Sequence, residues 1–312
     1  MGEKDISEKA LEWMPDVFAD IVNAYFAIQG IERVVKPDEL VDTKERTVYV
    51  SRGDLRDQER DVVKLWIPLD TVICLMGFEN QTDVDYDMAL RVFGYEGGDY
   101  RYQLTQTGAH YPVITIILYF GTNERWAKKR TLYERLKVPD DLKPLVNDCH
   151  VNVFEIAWLS DDEEKLFKSD FKHVVHYLRQ VRMGKEKSML SDPLDHAPEL
   201  LTLLKALAND DRYDELIRQA KIKQKEGEIM TFPSLFEDAF LNIIKEKVEE
   251  KIPSLVQEAE KRAEERGIAS GIAIGTAQTE ARVQEERQII RDRLIASGIP
   301  SQEAAVLTGL SV

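Results

Sequence analysis

Two acids in this chain stand where a hairpin would bring them face to face. Residues 60–67 read Arg-Asp-Val-Val-Lys-Leu-Trp-Ile and residues 72–81 read Val-Ile-Cys-Leu-Met-Gly-Phe-Glu-Asn-Gln, with Pro68-Leu69-Asp70-Thr71 between them. The apolar runs predict strands and the middle predicts a turn. Folding about Leu69 and Asp70 sets Asp61 opposite Glu79. Cβ atoms of directly opposed residues lie roughly 4.5–5.5 Å apart, and two carboxylates that close repel unless a cation lies between them. Hard oxygen ligands suit Mg²⁺ or Mn²⁺, ions that serve phosphodiester hydrolysis. Side chains alternate along a strand, so Gln81 shares the face of Glu79 while Phe78 and Asn80 point away. An amide beside a metal-binding carboxylate orients a water or contacts a phosphate oxygen.

The elements that must hold these residues follow from the pattern around them. Phe18, Ile21, Val22, Tyr25 and Phe26 recur at helical spacing within residues 5–30, and Gly30 is a plausible stop. Residues 47–50 predict a short strand. Thr82-Asp83 predicts an N-cap for a helix over 84–103. That helix places Arg91 one or two turns past the acid pair, as a phosphate contact or as a salt-bridge partner of a nearby acid. Gly97 and Gly98 interrupt it, each costing about 1 kcal/mol in a helix interior. The run 113–120 is continuously apolar, as a central strand should be. A further strand is expected in 151–159 and a helix in 165–182. His173 and His176 sit three apart on that helix, but no third ligand is nearby in sequence, which favours ordinary histidines.

Several segments in this order resemble one known family. The spacing of Asp61 with Glu79-Asn80-Gln81 resembles the core of the PD-(D/E)XK nucleases, with glutamine where many members carry lysine. Lys4-Asp5 and the stretch 17–26, Arg60-Asp61-Val62-Val63-Lys64, Gly77 to Thr82, the helix residues Tyr86, Met88, Arg91, Tyr95, Tyr100 and Gln103, and the strand 111–121 together resemble the Rpn family of recombination-promoting nucleases and transposase-like proteins. The resemblance covers the first half of the chain well and the rest loosely. It implies an α/β fold: a PD-(D/E)XK nuclease-like core, a mixed central sheet flanked by helices, followed by a helical C-terminal region. It also implies an acid on the first helix, for which Asp5 and Asp20 are the candidates.

Composition bounds the remainder. The 312 residues carry 43% apolar and 32% charged side chains, enough for a full core plus an appendage. Cys74 and Cys149 are far apart, so no disulfide framework or thiolate metal motif is expected, as in a reducing cytoplasm. The charged start has no apolar h-region, and no apolar run approaches a membrane span. A net charge of −15 argues against simple nucleic-acid binding. Two local basic clusters oppose that argument: Arg125, Lys128, Lys129, Arg130, Arg135 and Lys137, then Lys172, Arg179, Arg182, Lys185 and Lys187. Each cluster alone reads more simply as a solvated helix face.

Three regions are expected: a nuclease-like domain over 1–190, a helical extension over 191–253, and a long helix with a small cap over 254–312. The extension contains two helices split near Asn209-Asp210-Asp211. Gly267, Gly271 and Gly275, four apart, fall on one helical face and favour close helix–helix approach, hence a homo-oligomer through the C-terminal helix. The leading expectation is a DNA endonuclease of little sequence specificity that promotes recombination, with Asp61 and Glu79 holding Mg²⁺ or Mn²⁺ and Gln81 orienting water or phosphate. The alternative is a catalytically inactive nuclease-fold protein that self-associates or binds DNA.

Overall fold

The structure, a computed structural model, describes residues 9–43, 47–51, 54–58, 60–105, 108, 110–185, 189–239, 257 and 272–310. The chain divides into two compact units, Met1–Leu235 and Phe236–Val312. The first unit is built on a five-stranded mixed sheet. Its strands are β1 (Leu40–Asp42), β4 (Val62–Trp66), β5 (Cys74–Gln81), β6 (Val113–Tyr119) and β7 (Asn152–Glu155), hydrogen-bonded in that order. β4 runs antiparallel to β1 and β5, while β5, β6 and β7 are parallel. β2 (Thr47–Ser51) and β3 (Asp54–Gln58) form a separate antiparallel pair. The mixed sheet flanked by helices is the architecture that the resemblance implies.

The hairpin register is the one expected from the sequence. Val62 pairs with Phe78 and Trp66 with Cys74, and the turn between holds Leu69 and Asp70 at positive φ (51° and 58°). Alternation then sorts the side chains. Val62, Lys64 and Trp66 share a face with Cys74, Met76 and Phe78, and helix α1 (Pro15–Ile28) covers it, with Phe18 stacked on Phe78 at 4.3 Å between centroids. Fully buried Lys64 is satisfied on this face by Asp42 of the edge strand and by the Trp13 ring, 4.9 Å from Nζ.

The other face carries Val63, Leu75, Gly77, Glu79 and Gln81, and helix α2 (Met88–Gln103) lies over it. Two apolar clusters bracket this layer. One gathers Met88, Ala89, Val92, Ile117, Tyr119 and Trp126; the other gathers Val63, Leu75 and Val113. α2 starts four residues later than expected. Asp85 accepts the Asp87 amide at 2.8 Å, turning residues 85–87 outside the helix, and Asp87 stands at the N-cap. The helix then runs unbroken through Gly97 and Gly98. The burial of Val92, Tyr95, Asp99 and Gln103 on its inner face outweighs the glycine cost.

After β7 the expected strand 151–159 ends early, because Ile156–Trp158 turn as a 3₁₀ helix. Helix α3 (Leu132–Leu136) lies between β6 and β7, and the expected helix 165–182 starts only at α5 (Phe171–Met183), preceded by the short α4 (Asp161–Glu164) capped by Ser160. Helices α6 (Ala197–Ala208) and α7 (Tyr213–Glu226) are split at Asn209, whose φ of 50° ends the first, as the sequence suggests. The second unit contains helices Ile272–Ala296 and Ser301–Thr308, the latter closed by left-handed Gly309. Gly267 and Gly271 of the glycine-spaced tail lie outside the described residues. No helix among the described residues is long and apolar enough to cross a membrane.

Candidate active site

The parallel strands β5, β6 and β7 end together at one edge of the sheet, where β4 begins. Ligands of open α/β sheets gather at such carboxyl ends. Asp61 stands one residue before β4 and ties the strand ends. Its amide donates to the Phe78 carbonyl at 3.0 Å, and its Oδ2 accepts the Asn80 amide at 2.7 Å. Its Oδ1 pairs with Lys9 Nζ at 2.9 Å. Asp61 therefore sits next in register to Glu79, on the α2 face, where the hairpin argument puts it.

Glu79 is 4% exposed. One carboxylate oxygen, Oε1, is held by Arg91 Nη2, with Tyr95 Oη at 3.4 Å and Gln81 Nε2 at 3.5 Å. The other oxygen, Oε2, is buried and has no hydrogen-bond partner. Burial and then the neighbouring Asp61 charge push the Glu79 carboxyl up to about 8, against the opposing pull of Arg91, Tyr95 and Lys9. A carboxyl raised by a second carboxylate, with one oxygen unspent in a buried position, is a place where a cation lowers the energy. Asp61 and Glu79 therefore fit a divalent ion bound by an acid pair. Among the described residues no group of three or more His, Cys, Asp or Glu converges to complete an all-protein cage. Mg²⁺ keeps most of its waters and needs only one or two carboxylates.

Arg91 and Tyr95 come from one face of α2, four residues apart. Arg91 Nη1 also binds Asp85 at 2.9 Å, and its Nη2 and Nε reach Tyr95 Oη at 3.0 and 3.2 Å. The structure thus places Arg91 on Glu79 and Asp85, as an anchor of the acid, rather than pointing outward at a phosphate.

Of the two candidates for a first-helix acid, Asp5 lies outside the described residues. Asp20 is not brought to the pair. Its carboxylate accepts the amides of Lys168 and Ser169 and the Ser169 hydroxyl, closing the turn before α5. The acid that does reach the strand ends is Glu12, in the helical turn 9–12 ahead of Pro15. It is fully buried, and its Oε2 accepts Asn80 Nδ2 at 2.9 Å. The same turn supplies Lys9 to Asp61. Its only signal in the sequence is an acid between Leu11 and Trp13, just before a proline-initiated helix.

Beneath α2 a second polar group braces the site. Arg60 forms a fully buried ion pair with Asp99 and donates to Thr115 Oγ1 at 3.1 Å. Its side chain crosses Gly77, where a Cβ would come within 2.9 Å of Arg60 Cδ. A side chain two residues before Glu79 would push the Arg60 guanidinium off its path under the helix. The histidines of α5 take no part: His173 is buried against Phe232, and His176 binds Glu164 at 2.7 Å.

No curated protein and no solved structure matches the chain. A family model described as "Putative transposase, YhgA-like" matches residues 45–211, more than half of the chain and the part that contains Asp61, Glu79, Gln81 and Arg91. The chain belongs to this transposase-like family, the one its ordered segments resemble.

Proposed function

We propose that this protein is a divalent-metal-dependent DNA endonuclease with little sequence preference, whose cuts promote recombination. The observation that carries the reading is the unspent, buried Oε2 of Glu79 beside Asp61. Asp61 and Glu79 would hold Mg²⁺ or Mn²⁺. Such an ion lowers the pKa of a bound water and stabilises charge on the attacked phosphate. The chain's own residues prepare that arrangement. Arg91 and Tyr95 fix Glu79 through its other oxygen, and the Asn80 amide fixes Asp61. Gln81, on the face of Glu79 with its Nε2 3.5 Å from Oε1, would orient an attacking water or a phosphate oxygen. Asp61→Ala should abolish metal-dependent cleavage while thermal unfolding stays cooperative. Cleavage by the folded variant would refute the assigned role.

A specific observation also favours a second reading, an inactive descendant that binds DNA or self-associates: Lys9 and Arg91 already supply positive charge to the two acids. Calorimetry separates the two. Saturable Mn²⁺ binding lost in Glu79→Gln supports the nuclease, whereas absence of binding supports the retired site.

A further inference from the structure

The two basic clusters of the sequence meet in the fold. Arg125, from the loop after β6, and Arg182, near the end of α5, both lie against the ring of Trp158, with guanidinium carbons 5.2 and 5.0 Å from its centroid. Lys129, in the same loop, stands 4.0 Å over the Tyr86 ring. Most other members of the clusters are neutralised. Arg130 pairs with Glu155, Arg135 with Asp87, Arg179 with Asp161 and Glu164, and Lys172 with Asp192. Among the described residues, Arg125, Lys128, Lys129 and Arg182 make no ion pair with a carboxylate. Arg182 Nε is in addition buried without a hydrogen-bond partner. A protein of net charge −15 has collected uncompensated cations in one place and rests three of them on aromatic rings.

That place is the edge where the acid pair lies. Trp158 Nε1 donates to the Gly121 carbonyl at 3.0 Å, and the preceding residue, Phe120, donates its amide to the Gln81 carbonyl at 2.8 Å. A Cβ at Gly121 would fall 2.2 Å from the Tyr119 ring, so glycine lets the chain pass that ring here. Tyr86 follows Asp85, the residue that holds Arg91 on Glu79. The lip is thus tied to Gln81 on one side and to the Glu79 anchor on the other.

We propose that Arg125, Lys128, Lys129 and Arg182, set by Trp158 and Tyr86, form a sequence-independent cradle for the phosphodiester backbone of a nucleic-acid strand, leading it to Asp61 and Glu79. The cradle extends the endonuclease reading and rests on it for its purpose, but it is tested without cleavage. Guanidinium and ammonium groups that bind phosphates release counterions, so affinity falls with salt in proportion to the contacts made. The positions carry no base-reading geometry and imply binding indifferent to sequence.

The test is fluorescence anisotropy of the full chain with a labelled single strand and the same-sequence duplex, in chelator, across 50–200 mM salt. Substituting Arg125→Gln, Lys128→Gln and Arg182→Gln together should flatten the slope of log affinity against log salt by about 2 for the single strand, or by nearly 3 for the duplex. Wild-type protein would then lose roughly 20-fold more single-strand affinity over that range than the variant. Lys128→Gln alone, at an exposed position, should flatten it by about 0.7–0.9 and guards against misfolding of the triple variant. The control changes Arg212, Arg218 and Lys223, each already paired with a carboxylate, to Gln. An unchanged slope in the cradle variants, an equal fall in the control, or no binding by the wild type would overturn the proposal. Binding that behaves as expected in a protein that never cleaves would leave the cradle standing and remove the catalytic reading.

Discussion

If Glu79 is a metal ligand, metal binding must expel its proton. The carboxyl stands at about 8 in the metal-free protein because burial and the Asp61 charge disfavour ionisation. At pH 7 a group of that pKa is about 90% protonated, so saturating Mn²⁺ should release about 0.9 proton per site. Apparent affinity should then rise close to tenfold per pH unit up to about pH 8 and level off above it. The sign is that of a raised folded-state pKa. The protonated acid favours the metal-free fold below the ordinary carboxylate range, and that contribution is lost as pH rises through 8. Calorimetry in buffers of different ionisation enthalpy reads the proton count directly. Glu79→Gln, which has no proton to give, should show neither release nor the pH slope. Proton release near zero at pH 7, with affinity flat from pH 6 to 8, would refute the placement of a metal on Glu79.

Three further outcomes follow from single features of the fold. His173 is buried, and burial first, then Lys172 and His176 against the pull of Asp192, lowers it to about 4. Stability should therefore fall as pH drops from about 6.5 towards 4, by roughly 2 kcal/mol at pH 5 relative to pH 7 for this group, and His173→Leu should remove that slope in urea titrations at the two pH values. Asp99→Ala leaves Arg60 buried without its carboxylate and should cost about 3–5 kcal/mol in the same assay. Deleting residues 260–312 should lower the mass seen by light scattering if the C-terminal helix mediates self-association, and an unchanged mass would defeat that idea.

The acid pair was legible in the sequence because hairpin register depends on local terms: strand alternation and the position of the turn at Leu69 and Asp70 decide who faces whom. The long strand β6 was legible because a continuous apolar run is the local mark of a strand buried on both faces. What escaped was decided by partners distant in the chain. Glu12 is ordinary in its own segment and becomes a site residue only because the turn before α1 docks on Asn80. Asp20 reads equally well as an acid on the first helix, yet it is engaged by the backbone of residues 168 and 169. Arg91 could have faced a phosphate or an acid. Asp85, left outside the helix by its late start, and Glu79 draw it inward. The basic clusters read separately as solvated faces, and only the fold brings Arg125 and Arg182 to one tryptophan.

The most direct test of the central claim is cleavage of supercoiled plasmid by purified protein with Mg²⁺ or Mn²⁺, beside chelator, Asp61→Ala and Glu79→Ala. The expected result is metal-dependent nicking with no marked sequence preference, abolished by chelator and by either substitution in folded protein. Nicking that persists in chelator or in either alanine variant, or its absence from the wild type with both metals, would contradict the assignment of Asp61 and Glu79 as the catalytic pair.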